Sequence, residues 1–252
     1  MNTKIMGILN VTPDSFYDGG KYWDAISAVK RFHELKKYSD IIDIGAESTR
    51  PGAEKITAEE EINRLMPILN ILLPADIPVS IDTYHAKTAA IALYMGANII
   101  NTVDFNEDTA KSAAKYGSKI VLMARDTFGE FKNTINCLNN LINRAKENGV
   151  EEKNIILDIG IGFLGGAKAD LSALKNLRGI REYYKNFPIL VGASRKSFIG
   201  EVLMVEKKQR LAGSLAANLY AAKNGADILR VHDAKEMSEC LKLIEAIDKE
   251  SV

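Results

Sequence analysis

Asp82, Asn101 and Asp158 each close a short apolar run, and the cations Arg50, Arg195, Lys196 and Arg230 stand in comparable places with His232. Carboxylates and amides suit a planar heterocycle bearing several N–H groups, because an ionised carboxylate accepts two parallel hydrogen bonds. Arginine, histidine and a serine-bearing strand-to-helix turn suit phosphate oxygens. A heterocycle carrying a phosphate leaving group would engage both sets. Taken singly, each residue is weak evidence, since Asp or Asn after a strand is often a helix N-cap. The weight lies in their recurrence. Asn10, Glu47-Ser48-Thr49-Arg50-Pro51, Asp82, Asn101, Asp158 with Phe163, Ser194-Arg195-Lys196-Ser197, and Arg230 with His232 all follow apolar runs. Met123-Ala124-Arg125 is the one ambiguous run end.

The elements that must hold these groups alternate along the chain. Apolar, β-branched runs at Ile5–Leu9, Asp40–Gly45, Ile77–Asp82, Asn98–Asn101, Ser118–Met123, Asn154–Asp158, Ile189–Gly192 and Ile228–Val231 read as strands. Helical patterns lie between them at Asp24–Lys37, Ala58–Leu72, Ala86–Met95, Thr109–Tyr116, Asn133–Asn148, Leu171–Lys185, Lys208–Asn224 and Ala234–Ile247. Repeated strand–helix pairs favour a parallel sheet, since each crossover needs a helix. Eight such units in 252 residues fit an α/β (β/α)8 barrel spanning the chain as one domain. An open doubly wound sheet is the competitor, disfavoured because no Gly-x-Gly-x-x-Gly turn follows the first strand. In a barrel, the strand C-termini form the active face. The connection from Asn10 to Gly20 is longer than usual and carries Phe16 and Tyr17, as expected of a loop that covers something.

Composition excludes several classes. Lys plus Arg and Asp plus Glu both total 33, so no basic excess points to a nucleic-acid or membrane partner. Cys137 and Cys240 lie far apart without metal-like spacing and read as reduced. No leader-like N-terminus or long apolar run is present, which points to the cytoplasm. No Gly-x-Ser-x-Gly elbow signals a serine hydrolase, and no Cys/His cluster a zinc site. His33 and His85 read as solvent-facing.

The motifs Asn10-Val11-Thr12-Pro13-Asp14-Ser15-Phe16, Glu47-Ser48-Thr49-Arg50-Pro51-Gly52, Ser80-Ile81-Asp82-Thr83, Gly192-Ala193-Ser194-Arg195-Lys196-Ser197 and Arg230-Val231-His232-Asp233 resemble those of the dihydropteroate synthases, in order and across the chain. The resemblance implies a transferase of folate biosynthesis. Such an enzyme joins 6-hydroxymethyl-7,8-dihydropterin diphosphate to p-aminobenzoate, releasing pyrophosphate through a pterin methylene cation. It implies pterin contacts at Asp82, Asn101, Met123, Asp158 and Lys196, with Asp82, Lys196, Asp158 and Asn101 closest to the chemistry. Diphosphate contacts would fall to Asn10, Thr49, Arg50, Arg230 and His232, with Mg²⁺ at Asn10. Phe16, Pro51, Phe163 and Ser197 would surround p-aminobenzoate. A homodimer and sensitivity to sulfonamides are further implications.

Some positions depart from the family pattern. Asp158-Ile159-Gly160 lacks the usual proline, which leads one to expect a looser turn. Asn101-Thr102 places an acid only at Asp104, and Met123-Ala124-Arg125 lacks the usual histidine. The run Leu164-Gly165-Gly166-Ala167-Lys168 is longer than usual. These changes keep open a pterin-binding paralogue that is non-catalytic or uses another acceptor. A pterin-barrel corrinoid methyltransferase is the other alternative, disfavoured because it needs neither the Thr-Pro-Asp-Ser-Phe loop nor the diphosphate anchors.

Overall fold

The computed structural model describes residues 3–11, 21–47 and 55–250. Eight parallel strands follow one another around a closed barrel: β1 (Lys4–Asn10), β2 (Ile41–Gly45), β3 (Val79–Asp82), β4 (Ile99–Thr102), β5 (Lys119–Met123), β6 (Ile155–Asp158), β7 (Ile189–Val191) and β8 (Ile228–Val231). The ring closes where β8 pairs with β1, Met6 lying opposite Arg230. Around it run α1 (Lys21–Lys36), α2 (Ala58–Leu72), α3 (Ala86–Tyr94), α4 (Glu107–Tyr116), α5 (Phe131–Glu147), α6 (Ala167–Tyr183), α7 (Ser197–Leu203), α8 (Leu211–Lys223) and α9 (Ala234–Lys249). The expected barrel is therefore present, with one helix more than the sequence pattern gave. The addition is α7, two turns long, too short for periodicity to separate it from the turn before it. Phe198 and Ile199 anchor it by burial.

Side chains alternate across each strand, so every strand serves two cores. One set, such as Ile42 and Ile44 of β2 or Leu157 of β6, packs outward against the helices. The other forms a separate cluster inside the barrel: Met6, Ile41, Ile99, Val121, Ile156, Leu190 and Ile228. Each comes from a different strand, and β3 offers the wholly buried Ser80. Two residues further on, the same inward face carries Ile8, Asp43, Asp82, Asn101, Met123, Asp158, Gly192 and Arg230. The barrel interior thus changes from apolar to mainly polar in one step of the pleat.

The helices are started by local chemistry. Thr57 caps α2: its hydroxyl accepts from Glu60 N at 3.2 Å, and the Glu60 carboxylate accepts from Thr57 N at 2.8 Å. Such a box typically contributes about 1 kcal/mol. It sets the next residue, Glu61, beside the C-terminal end of β3, where it accepts from Thr83 Oγ1 at 2.7 Å. Cys137 and Cys240 are free and half-buried. Among the described residues no helix is long and apolar enough to cross a membrane.

Candidate active site

Arg230, on β8, reaches across the barrel and binds two carboxylates. Its Nε donates to Asp43 Oδ2 and its Nη2 to Asp82 Oδ2, both at 2.6 Å. Asn101 Nδ2 donates to the same Asp43 oxygen at 3.1 Å. The second oxygens of Asp43 and Asp82 are buried and accept nothing from the described residues. Burial opposes the charge on Arg230, but Asp43 and Asp82 outweigh it and hold the guanidinium firmly protonated. Burial is also the main influence on Asp82. With Asp43 and Glu61 nearby it prevails over Arg230 and Lys196 and pushes the carboxyl up to about 7. Sequence reasoning missed Asp43 because it lies inside an apolar run, Ile41-Ile42-Asp43-Ile44, and not at its end. The available signal was the lone acid itself, since an unpaired carboxylate in such a place is too costly to be incidental.

Asp158 ends β6 beside Met123 of β5. Its Oδ1 accepts from Gly160 N at 2.8 Å. Burial raises its pKa, with the Gly160 N–H, Lys196 and Arg230 opposing. The turn that follows is not loose, contrary to the expectation from the missing proline. Gly160 has φ +81°, and a Cβ there would lie 1.9 Å from Ala124 O. Ala124 N donates to Asp158 O at 2.9 Å, and Phe163 N to Gly160 O at 2.9 Å. The long connection beyond is bound to the β5–α5 connection, where Asp126 N and Phe128 N donate to Phe163 O and Leu164 O, each at 3.1 Å.

Lys196 enters from the β7–α7 turn, with Nζ 4.6 Å from the centre of the Phe163 ring. Burial lowers its pKa and Arg230 adds to that, while Asp158, Asp170 and Asp82 work the other way. Arg195 before it adopts φ +57°, a conformation costly for a side chain with a Cβ. Three partners hold it there. Its N donates to Ser214 Oγ at 2.8 Å, Arg210 Nη1 donates to its carbonyl at 3.2 Å, and its guanidinium binds Asp233 through two bonds at 2.9 and 2.7 Å. Arg195 is thus committed to Asp233 and is no rim cation. Ser197, the first residue of α7, is exposed.

At the outer end, Ser194 Oγ lies 3.1 Å from His232 Nδ1 and accepts from His232 N at 3.2 Å. Burial, reinforced by Arg230, lowers His232 to about 3, so the imidazole is neutral at ordinary pH. Asn10 stands half-buried at the end of β1. The departures at the fourth and fifth strand ends meet each other: Arg125 Nη1 binds the Asp104 carboxylate and donates to Val103 O at 3.3 Å. The same guanidinium lies 5.9 Å from the Phe163 ring centre.

Phe16, Thr49, Arg50 and Pro51 lie outside the described residues. Glu47 does not point a free carboxylate at the site. It accepts from Tyr84 OH at 2.7 Å and from Ile56 N at 3.2 Å. His85 corrects the sequence reading, being mostly buried with Nε2 3.4 Å from Glu47 and 3.1 Å from Ile56 O. His33 is exposed, as expected.

Residues 6–232 match the family described as pterin binding enzyme. A dihydropteroate synthase from Clostridium beijerinckii is 46% identical over 97% of this chain and 94% of its own length. A crystal structure of the dihydropteroate synthase of Clostridium difficile, obtained in the presence of pteroic acid, has a TM-score of 0.91. It is 36% identical and covers 98% of this chain and 97% of that one. The Xanthomonas albilineans enzyme with 4-aminobenzoic acid also has a TM-score of 0.91, at 33% identity, covering 99% and 94%.

Proposed function

The chain belongs to the pterin binding enzymes as a dihydropteroate synthase, and from that membership we propose how its site performs the transfer. The substrates are 6-hydroxymethyl-7,8-dihydropterin diphosphate and p-aminobenzoate, and the products 7,8-dihydropteroate and pyrophosphate. The observation that carries this reading is the inward tier of Asp43, Asp82, Asn101, Asp158 and Arg230 just above an apolar floor. The pterin, flat and rich in N–H groups, lies among Asp82, Asn101, Met123, Asp158 and Lys196. Asp158 spends one oxygen on Gly160 and keeps the other for the ring.

The methylene C–O bond breaks first, its electron pair leaving with pyrophosphate. The methylene cation is delocalised into the pterin, and the buried carboxylate of Asp82 stabilises it where water is scarce. The aniline nitrogen then forms the C–N bond and loses its proton. Asn10, Thr49, Arg50 and His232 are assigned to the diphosphate. His232, neutral beside Ser194, donates a hydrogen bond to it and does not act as a cation. Phe16, Pro51, Phe163 and Ser197 are assigned to p-aminobenzoate. Arg230 joins the two ends, since it already neutralises Asp43 and Asp82.

Asn10 offers one hard amide oxygen, and among the described residues no three His, Cys, Asp or Glu side chains are grouped to hold a metal. That donor set fits Mg²⁺, which favours phosphate and water oxygens over an all-protein cage. When bound, the ion would offset negative charge on the leaving diphosphate. A homodimer, sulfonamide sensitivity and a cytoplasmic setting are part of the same proposal.

The test is to incubate the protein with the pterin diphosphate, Mg²⁺ and p-aminobenzoate and assay both products. Dihydropteroate with equimolar pyrophosphate is expected. Pyrophosphate without dihydropteroate would indicate another acceptor, and release of neither would refute the assignment.

A further inference from the structure

Asp170 is a wholly buried carboxylate for which the transfer above has no use. It sits in the first turn of α6, 1% exposed. Its Oδ1 accepts from Gly162 N at 2.8 Å. Gly162 is also where Lys196 rests: a Cβ built there would lie 2.7 Å from Lys196 Nζ. The next residue, Phe163, offers its ring to the same ammonium at 4.6 Å. Among the described residues Lys196 Nζ donates no hydrogen bond to the protein, so packing and charge alone locate it. A helix carboxylate, a loop peptide and the ammonium therefore form one stack.

We propose that Asp170 is a positioning residue for Lys196, fixing the Gly162–Phe163 segment under the ammonium and supplying buried negative charge that keeps it cationic. This rests on the function assigned above. Lys196 is faced by Asp158 from β6, Asp82 from β3, Arg230 from β8 and Asp170 from α6. Asp170 in turn is faced by Lys196 and by Glu201 of α7. Burial raises the Asp170 carboxyl, while the Gly162 N–H and Lys196 favour its ionised form.

Two substitutions separate the roles. Asp170→Asn keeps an oxygen for Gly162 N–H and removes the charge, whereas Asp170→Ala removes both. One readout is the pH profile of kcat/KM for the pterin diphosphate. The other is acylation of Lys196 by acetic anhydride, followed by mass spectrometry across the same pH range. For Asp170→Asn, the alkaline limb and the acylation midpoint should both move to lower pH by about one unit, the scale of one lost charge at short range. Asp170→Ala should show the same displacement and lose a further ~10-fold in kcat, as misplacement near the reacting centre does.

An Asp170→Asn enzyme with the wild-type limb and midpoint would overturn the proposal. So would an Asp170→Ala enzyme that only melts earlier. Acylation needs no turnover, so it judges Asp170 independently. Failure of the wild type to make dihydropteroate would instead count against the assigned function.

Discussion

Among single side chains, Arg230 has the most demanding surroundings, because two buried carboxylates depend on it. Removing one member of a buried ion pair strands its partners, at a cost of roughly 3–5 kcal/mol. Arg230→Ala should therefore lower stability on that scale in denaturant titration. It should also weaken both free pterin and diphosphate in calorimetry, and wild-type affinity for free pterin would contradict that coupling. On the proposed assignment, Asp158→Asn presents a donor where the pterin needs an acceptor. It should cost pterin binding ~1.5–3 kcal/mol, the usual worth of a charge-assisted bond, again read by calorimetry. At this scale the sequence was informative wherever a polar residue ended an apolar run, as at Asp82, Asn101 and Asp158. It was uninformative at Asp43, hidden within a strand, and misleading at Arg195, whose charge is consumed by Asp233. Nothing local in the sequence says which partner a guanidinium will find across the barrel.

Among the elements, the β7–α7 turn holds a non-glycine residue at positive φ right beside the site. Arg195 is held at positive φ by Ser214, Arg210 and Asp233, from α8 and the approaches to α8 and α9, so distant parts of the chain present Lys196. Non-glycine residues in that region cost about 1–3 kcal/mol and persist only when their surroundings over-determine them. Asp233→Ala should release the guanidinium and destabilise the protein by roughly 1.5–3 kcal/mol. It should also lower kcat, because Lys196 follows the turn. An unchanged kcat with the full loss of stability would show that the turn does not need Asp233 to present Lys196. The strand–helix alternation made the barrel legible, since pattern alone dictates parallel crossovers. It could not reveal α7, which is too brief to show a period, nor the pairing of Asp104 with Arg125, which depends on how two connections meet in space.

For the whole molecule, the ring of buried carboxylates at the strand ends opposes stability. Asp82 has a folded pKa raised to about 7, so the native state holds a proton that the unfolded chain gives up near pH 4. The stability this confers is present at low pH and is lost as pH rises through about 7. Asp82→Asn should accordingly gain stability relative to wild type at pH 8, by about 4 kcal/mol at most, and that advantage should shrink steadily as pH falls from about 7 and vanish only below about 4. Melting of both proteins across this range checks the sign. Activity should run the opposite way: kcat/KM falls as pH drops through about 7, where Asp82 becomes neutral. The Asp82→Asn enzyme, slower by roughly a hundredfold, should lack that acid limb.

The apolar cluster from Met6 to Ile228 has a kinetic corollary. Among the described residues it stoppers the barrel from below, so the way in lies at the strand C-termini. Whatever lodges deepest must arrive first and depart last. On the assignment proposed above, the bicyclic substrate should therefore precede the aromatic amine, and the condensed product should clear the threshold only after pyrophosphate has gone.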